Sequence, residues 1–218
     1  ITALVEGPRN FVVTSDFIGP DRRKSPREGS QIPLIEVPNT LRLKATNAFG
    51  RTNPHELIER ASAEVNEQKL LRQAFQAAFL IEFALPGLSG EPAERIAVEH
   101  LTRVVPVLDD LIHRLPVQAT GSRAAAADQA KALIAAVEVA HAQTLSGMVP
   151  PGLDRLKPSA LEIMAALSPD RPADALAREV GAAAALYRSR LTALAEAKAA
   201  EGAKGFAQGG LARTGGFL

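Results

Sequence analysis

The stretch NPHELIERASAEVNEQKLLRQAFQAAFLIEFALPG (Asn53–Gly87) decides the fold. Asn53 can cap a helix, and Pro54 suits the first helical position, where its missing N–H breaks no bond. Glu56 places a carboxylate in the first turn, beside N–H groups that the helix leaves free. Apolar side chains then recur at Leu57, Ala61, Val65, Leu71, Phe75, Ala78, Phe79 and Phe83, at helical spacing. Pro86-Gly87 marks the expected stop after Leu85. A rise of about 1.5 Å per residue predicts a helix roughly 48 Å long.

The same pattern continues toward the C-terminus. A second helix is expected from about Pro92 to Leu115, with a seam of Ala97, Leu101, Val104, Leu108, Leu111 and Leu115 and a kink at Pro106. A third runs from about Ser122 to Ser146 on Ala126, Ala130, Leu133, Val137, Ala140 and Thr144. GMVPPG then breaks the chain before a short helix, KPSALEIMAAL. The last helix begins near Arg171-Pro172 and carries Leu176, Val180, Ala183, Tyr187, Leu191 and Leu194. The first helix and these three seams predict a mainly α fold, an antiparallel helical bundle over residues 47–198, with the short helix as a lid. Residues 199–218 are Gly-rich and are expected to form a flexible tail.

Residues 1–46 read differently. Gly7, Pro8, Gly19, Pro20, Pro26, Gly29, Pro33 and Pro38 interrupt them at short intervals. NFVVT (Asn10–Thr14) and IPLIEV (Ile32–Val37) suit extended backbone, but Pro33 and Pro38 lack a ladder donor and argue against a central strand. An extended arm with a turn at Gly19-Pro20-Asp21 is expected.

Composition narrows the function classes. Of 218 residues 46% are hydrophobic but only 4% aromatic, so the core must form by close packing of small side chains. A net charge of +1 speaks against general nucleic-acid binding. The absence of cysteine removes disulfides and thiolate chemistry, and fits a reducing cytoplasm. The longest apolar run, AAFLIEFAL, is too short to span a membrane and contains Glu82. ITALVEGPRN lacks the basic head and apolar stretch of a signal peptide.

The four histidines read more simply as structural than as reactive residues. His55 opens an H-E-L like that of a histidine-kinase acceptor helix, but it sits in a first turn beside Pro54. His113 stands three residues before Pro116, which should end its helix and so weighs against phosphotransfer. Asp110-x-x-His113 and Glu138-x-x-His141 have the spacing of carboxylate–histidine metal ligands in bundles, yet Asp110 and His113 fall off their helix's seam. His141 borders an apolar face with Ile134 and Leu145, as a partly buried, hydrogen-bonded histidine would. His100 falls on the polar side of its helix. No phosphate-binding glycine loop or nucleophile elbow occurs.

The basic run Arg22, Arg23, Lys24 and Arg27 is the remaining candidate, a partner-binding segment with Ile32, Leu34 and Ile35. Burying one such apolar side chain contributes about 1.5–3 kcal/mol, against about 0–1 kcal/mol for an exposed ion pair. The apolar residues, with Phe17 and Ile18, should therefore anchor the arm, and the arginines should set its register on an acidic protein surface.

ITALVEGPRNFVVTSDFIGPDRR (Ile1–Arg23) resembles the segment with which a group of bacterial two-component response regulators leaves its receiver domain. The run I-x-A-(L/V)-(I/V)-E-x-P-R-x-F-V is matched at Ile1, Ala3, Leu4, Val5, Glu6, Pro8, Arg9, Phe11 and Val12. The segment T-x-x-(Y/F)-x-G-P-D-R-R is matched at Thr14, Phe17, Gly19, Pro20, Asp21, Arg22 and Arg23. Asn10 stands where the pattern has proline and Val13 where it has arginine. The resemblance implies a receiver upstream and makes residues 1–46 an exit linker. The expectation is a non-enzymatic, cofactor-free output or protein-interaction module, partnered by protein (a receiver domain or a second copy) rather than by membrane or nucleic acid. A histidine-phosphotransfer or metal-binding bundle, and an oligomerising scaffold built on the long first helix, are the alternatives.

Overall fold

The computed structural model describes residues 9–14, 17–22, 34–46 and 53–210, with side chains placed from Asn10 to Ala199. Three strands come first: β1 (Arg9–Val13), β2 (Ile18–Pro20) and β3 (Leu34–Val37). The helices follow: α1 (Thr40–Ala45), α2 (Pro54–Leu88), α3 (Arg95–Thr102), α4 (Val104–Arg114), α5 (Ser122–Leu145), α6 (Leu153–Leu167) and α7 (Ala173–Gly210). The chain is thus mainly helical.

α2 starts as its sequence dictates, with the Asn53 side chain accepting from the His55 N–H at 3.1 Å. It does not stop at Leu85. Pro86 lies inside the last turn, where it has no N–H to give the Glu82 carbonyl. The Arg188 guanidinium takes over that carbonyl at 2.5 Å, so the lost bond is replaced from another helix. Gly87 serves close approach rather than termination, since a Cβ there would lie 2.8 Å from that of Ala97 on α3.

The expected second helix is two. Pro106 exerts its effect one turn upstream, because its ring and missing N–H disrupt the bond to the carbonyl four residues back, at Thr102. The break falls at Arg103, whose N–H bonds to the His100 carbonyl in a tighter, three-residue step. All six seam residues from Ala97 to Leu115 are nevertheless buried. So are all six of α5, from Ala126 to Thr144.

Contacts between the helices define the bundle. Gln73 meets Asp110 and Asn66 meets the Arg114 carbonyl, so α4 runs antiparallel to α2. Thr102 meets His141, and Lys157 pairs with Glu82 at 2.8 Å, so α5 and α6 alternate in turn. α2, α3–α4, α5 and α6 therefore form an up-down-up-down bundle, and the densest packing is between α5 and α6. The short helix is the fourth member of the core and not a lid. It buries Leu153, Leu156, Ala160, Ile163, Met164 and Leu167.

α7 is the correction on the other side. It runs parallel to α2 along the outside of α2 and α6, with Tyr187 against Phe79 and Phe83. Leu176, Val180 and Ala184 are buried, whereas Leu186 and Leu194 are exposed. In its first turn the Arg178 guanidinium, 2.5 Å from Asp174, holds that carboxyl below its ordinary value. The helix continues to Gly210 through much of the expected tail, and residues 211–218 lie outside the described residues.

The arm is a sheet. Strand order is β2-β1-β3, antiparallel throughout, and β1 is central. β3, beside Pro38, occupies an edge, where a strand next to proline is tolerated.

These assignments separate α6 from α7 by experiment. Replacing Ile163 by Ala should cost about 2–5 kcal/mol in urea unfolding, and replacing exposed Leu194 by Ala no more than about 0.5 kcal/mol. Equal losses would show that the C-terminal half of α7, beyond buried Leu176 and Val180, is packed as well.

Candidate functional site: an apolar row across the N-terminal sheet

The residues that carry the T-x-x-F-x-G-P pattern build a hairpin. Thr14 and Phe17 close it: the Thr14 N–H donates to the Phe17 carbonyl at 2.8 Å, and the Phe17 N–H to Thr14 Oγ1 at 3.0 Å. Gly19 and Pro20 are strand residues of β2, not the turn expected from their composition. Gly19 has a specific reason to be glycine. A Cβ there would sit 2.5 Å from Cζ of Phe17, so the ring occupies the place of the missing side chain. Asp21 N–H then extends the pairing to the Asn10 carbonyl at 2.8 Å.

Register divides the sheet into two faces. Val13 and Ile35 face α2 and are buried, Ile35 completely. Gly19, Val12 and Leu34 are cross-strand partners in one row on the other face. With the Phe17 ring over Gly19, that row reads Phe17, Val12, Leu34 across all three strands. Phe17 is 48% exposed and Leu34 50%, while Val12 between them is buried, so the two ends of the row present apolar surface to solvent. Asn10 and Glu36 form the polar row beside it.

The sheet is fixed to the bundle by a buried cation. Lys69 on α2 is 6% exposed, and its Nζ donates to the Thr14 carbonyl at 3.3 Å, within the turn that closes the hairpin. A desolvated ammonium requires such acceptors, which makes the attachment directional. One turn farther along α2, buried Gln73 donates to Asp110, which also receives Arg114 at 3.1 Å. A cleft of about 730 Å³ opens between β3–α1 and the first turns of α2, with Val37, Leu43, Leu57 and Ala61 beneath Arg42 and Arg60.

The expected partner-binding residues thus separate. Ile35 is an internal anchor of the sheet on α2 and is unavailable to a partner, because strand alternation turns it inward beside Val13. Leu34 faces outward, and Arg22 is exposed at the end of β2. Arg23, Lys24, Arg27 and Ile32 lie outside the described residues.

Of the histidines, His113 is exposed in the last turn of α4, with Nδ1 on the Asp109 carbonyl at 2.7 Å. Leu115, next to Pro116, is already extended. His141 is half-buried, its Nε2 3.2 Å from Thr102 Oγ1. Among the described residues no three His, Asp or Glu side chains converge for a metal ion.

His100 is the residue that reading the pattern misplaces. It is 6% exposed, its Nδ1 donating to the Ile96 carbonyl at 2.8 Å and its ring 4.5 Å from Phe83 and 5.9 Å from Tyr187. Phe83 of α2 and Tyr187 of α7 cover a side of α3 that the seam alone leaves open. Among the described residues no helix is long and apolar enough to cross a membrane.

Two outcomes follow from these placements. Ile35→Ser should destabilise the chain by about 3 kcal/mol or more, while Leu34→Ser and Arg22→Ala should each change stability by about 0.5 kcal/mol or less. Limited proteolysis of the arm and urea midpoints would read the difference, and parity between Ile35 and Arg22 would contradict the inward assignment. His113 should remain unlabelled after incubation with a phosphorylated receiver domain; acid-labile label on it would contradict this reading of α4. No protein-family model, curated protein or solved structure matches the chain.

Proposed function

We propose that this chain is a non-enzymatic protein-interaction module of two-component signalling, in which the N-terminal sheet connects an upstream receiver to the helical bundle. The observation that carries the reading is the bond from Lys69 to the carbonyl of Thr14. Within the segment whose sequence resembles a receiver exit, the described residues form two paired strands. Its Thr14, Phe17 and Gly19 are the residues that close the hairpin and seat its ring, and the closed end is held by the central helix. A displacement of the segment before Arg9 therefore acts on α2 through β1. The exposed Phe17 and Leu34, at the two ends of the row they form with Val12, are the surface on which a protein partner settles, with apolar contact supplying affinity and Arg22 orientation. Phosphorylation upstream would alter how that row is presented.

The test uses the chain expressed together with the residues encoded immediately before Ile1. Addition of beryllofluoride, a phosphoryl mimic, should change hydrogen exchange in β1, β2 and the turn of α2 around Lys69, and Lys69→Met should abolish the change in α2 while leaving that in the receiver. Unchanged exchange in the sheet and α2, or upstream residues without an acceptor aspartate, would refute the proposal.

A further inference from the structure

We propose that α7 is an exchangeable helix, and that its seat on α2 and α6 accepts α7 from a second copy of this chain. Four observations lead there. The bundle of α2, α3–α4, α5 and α6 closes on itself, each member packing on its neighbours, before α7 is added. α7 nevertheless lies on an apolar surface of α2, where Tyr187 meets Phe79 and Phe83 at centroid distances of 5.6 and 5.1 Å. Its hold is local, with Leu176, Val180 and Ala184 buried and Leu186 and Leu194 left outside. The connection to α6 is short and proline-bounded, Ser168 to Pro172, with Pro169, Asp170 and Arg171 exposed.

The occupant follows from the seat. Arg188 supplies the donor that Pro86 withholds from the Glu82 carbonyl, and its Cζ lies 5.5 Å from the centroid of Phe83. A helix that replaces α7 must bring an arginine next to an aromatic residue, one turn beyond small and branched apolar side chains spaced by four. α7 of a second copy meets every part of that requirement. Its contacts with α2 are the same in cis and in trans, and only the five residues from 168 to 172 distinguish the two. Opening that connection exchanges the helix at the cost of its own few contacts, the turn bond from the Arg171 N–H to the Ser168 carbonyl and the exposed Arg171–Glu179 ion pair, a low-cost route to a swapped dimer. The exchange depends on the α2–α7 contact alone and holds whatever partner the sheet takes.

A fluorescent peptide with the sequence of residues 173–199, added to the 218-residue chain, tests this. The peptide should bind at least tenfold more tightly to a Tyr187→Ala, Arg188→Ala chain, whose own α7 is weakened, than to the unaltered chain. A peptide carrying Val180→Asp should lose at least tenfold. Light scattering of the unaltered chain should show a dimer that grows with concentration and dissociates when excess peptide is added. Hydrogen exchange on the unaltered chain gives an independent reading: α7 should exchange at least tenfold faster than α5 and α6. Failure of the peptide to bind the double variant, or exchange of α7 in step with the bundle, would overturn exchangeability. Peptide binding by a chain that stays monomeric at every concentration would overturn the second copy as its occupant.

Discussion

From Leu70 onward α2 buries side chains on more than one side: Leu70, Ala74, Ala77, Ala78, Ile81, Ala84 and Leu88 are all covered, and Leu71, Phe75 and Phe79 are partly so. A helix apolar around most of its circumference must be surrounded, because no single neighbour can cover it. This requirement sets the rest of the architecture. α3 and α4 take one flank, α6 another and α7 a third, while α5 closes the bundle between α4 and α6. Small side chains make it possible. Gly87 and Ala97 let α2 and α3 approach closely, and a chain with few aromatics gains its contacts through such approach.

How much of this is legible in the sequence depends on whether the signal is periodic or relational. The seams of α4 and α5 can be read residue by residue, since burial at three- and four-residue spacing follows from helix geometry alone. Periodicity does not say which helix a seam meets. α6 and α7 both carry seams, and the longer one looks the better core member. Yet α6 buries Leu156, Ala160, Ile163 and Leu167 in the bundle while α7 leaves Leu194 67% exposed. The same limit hides His100, which is covered by Phe83 of α2 and Tyr187 of α7 rather than by α3 itself. Proline shows a related gap. Its position marks the defect, but the disturbed carbonyl lies four residues earlier, so Pro106 breaks the chain at Arg103, and the defect of Pro86 is repaired by an arginine about a hundred residues away.

The sheet illustrates the difference at the candidate site. Alternation places Leu34 and Ile35 on opposite faces, and this much follows from strand geometry. Which face points inward is decided by where α2 lies, and that is a tertiary fact. The hairpin itself was concealed because Gly19 and Pro20 are turn-forming residues by composition. Here glycine is needed to seat the Phe17 ring, and proline sits on an edge strand, where its missing donor disturbs no central pairing.

The proposed partner surface and the proposed exchange seat share one support. Lys69 ties the sheet to α2, and the Phe79, Phe83 and Arg188 contacts tie α7 to the same helix farther along. Between them α2 is enclosed by α4 and α6, so it is not free to bend at an arbitrary point. The place where its own hydrogen bonding is incomplete is the Glu82 carbonyl opposite Pro86, and that place is completed by α7. When α7 is seated, the last turns of α2 are held in one geometry. When α7 is withdrawn, the carbonyl is returned to solvent and the turn before Pro86 loses its replacement bond. The sheet and α7 are therefore both held by α2, the sheet at Lys69 and α7 at the Glu82 carbonyl, where the helix lacks a donor of its own.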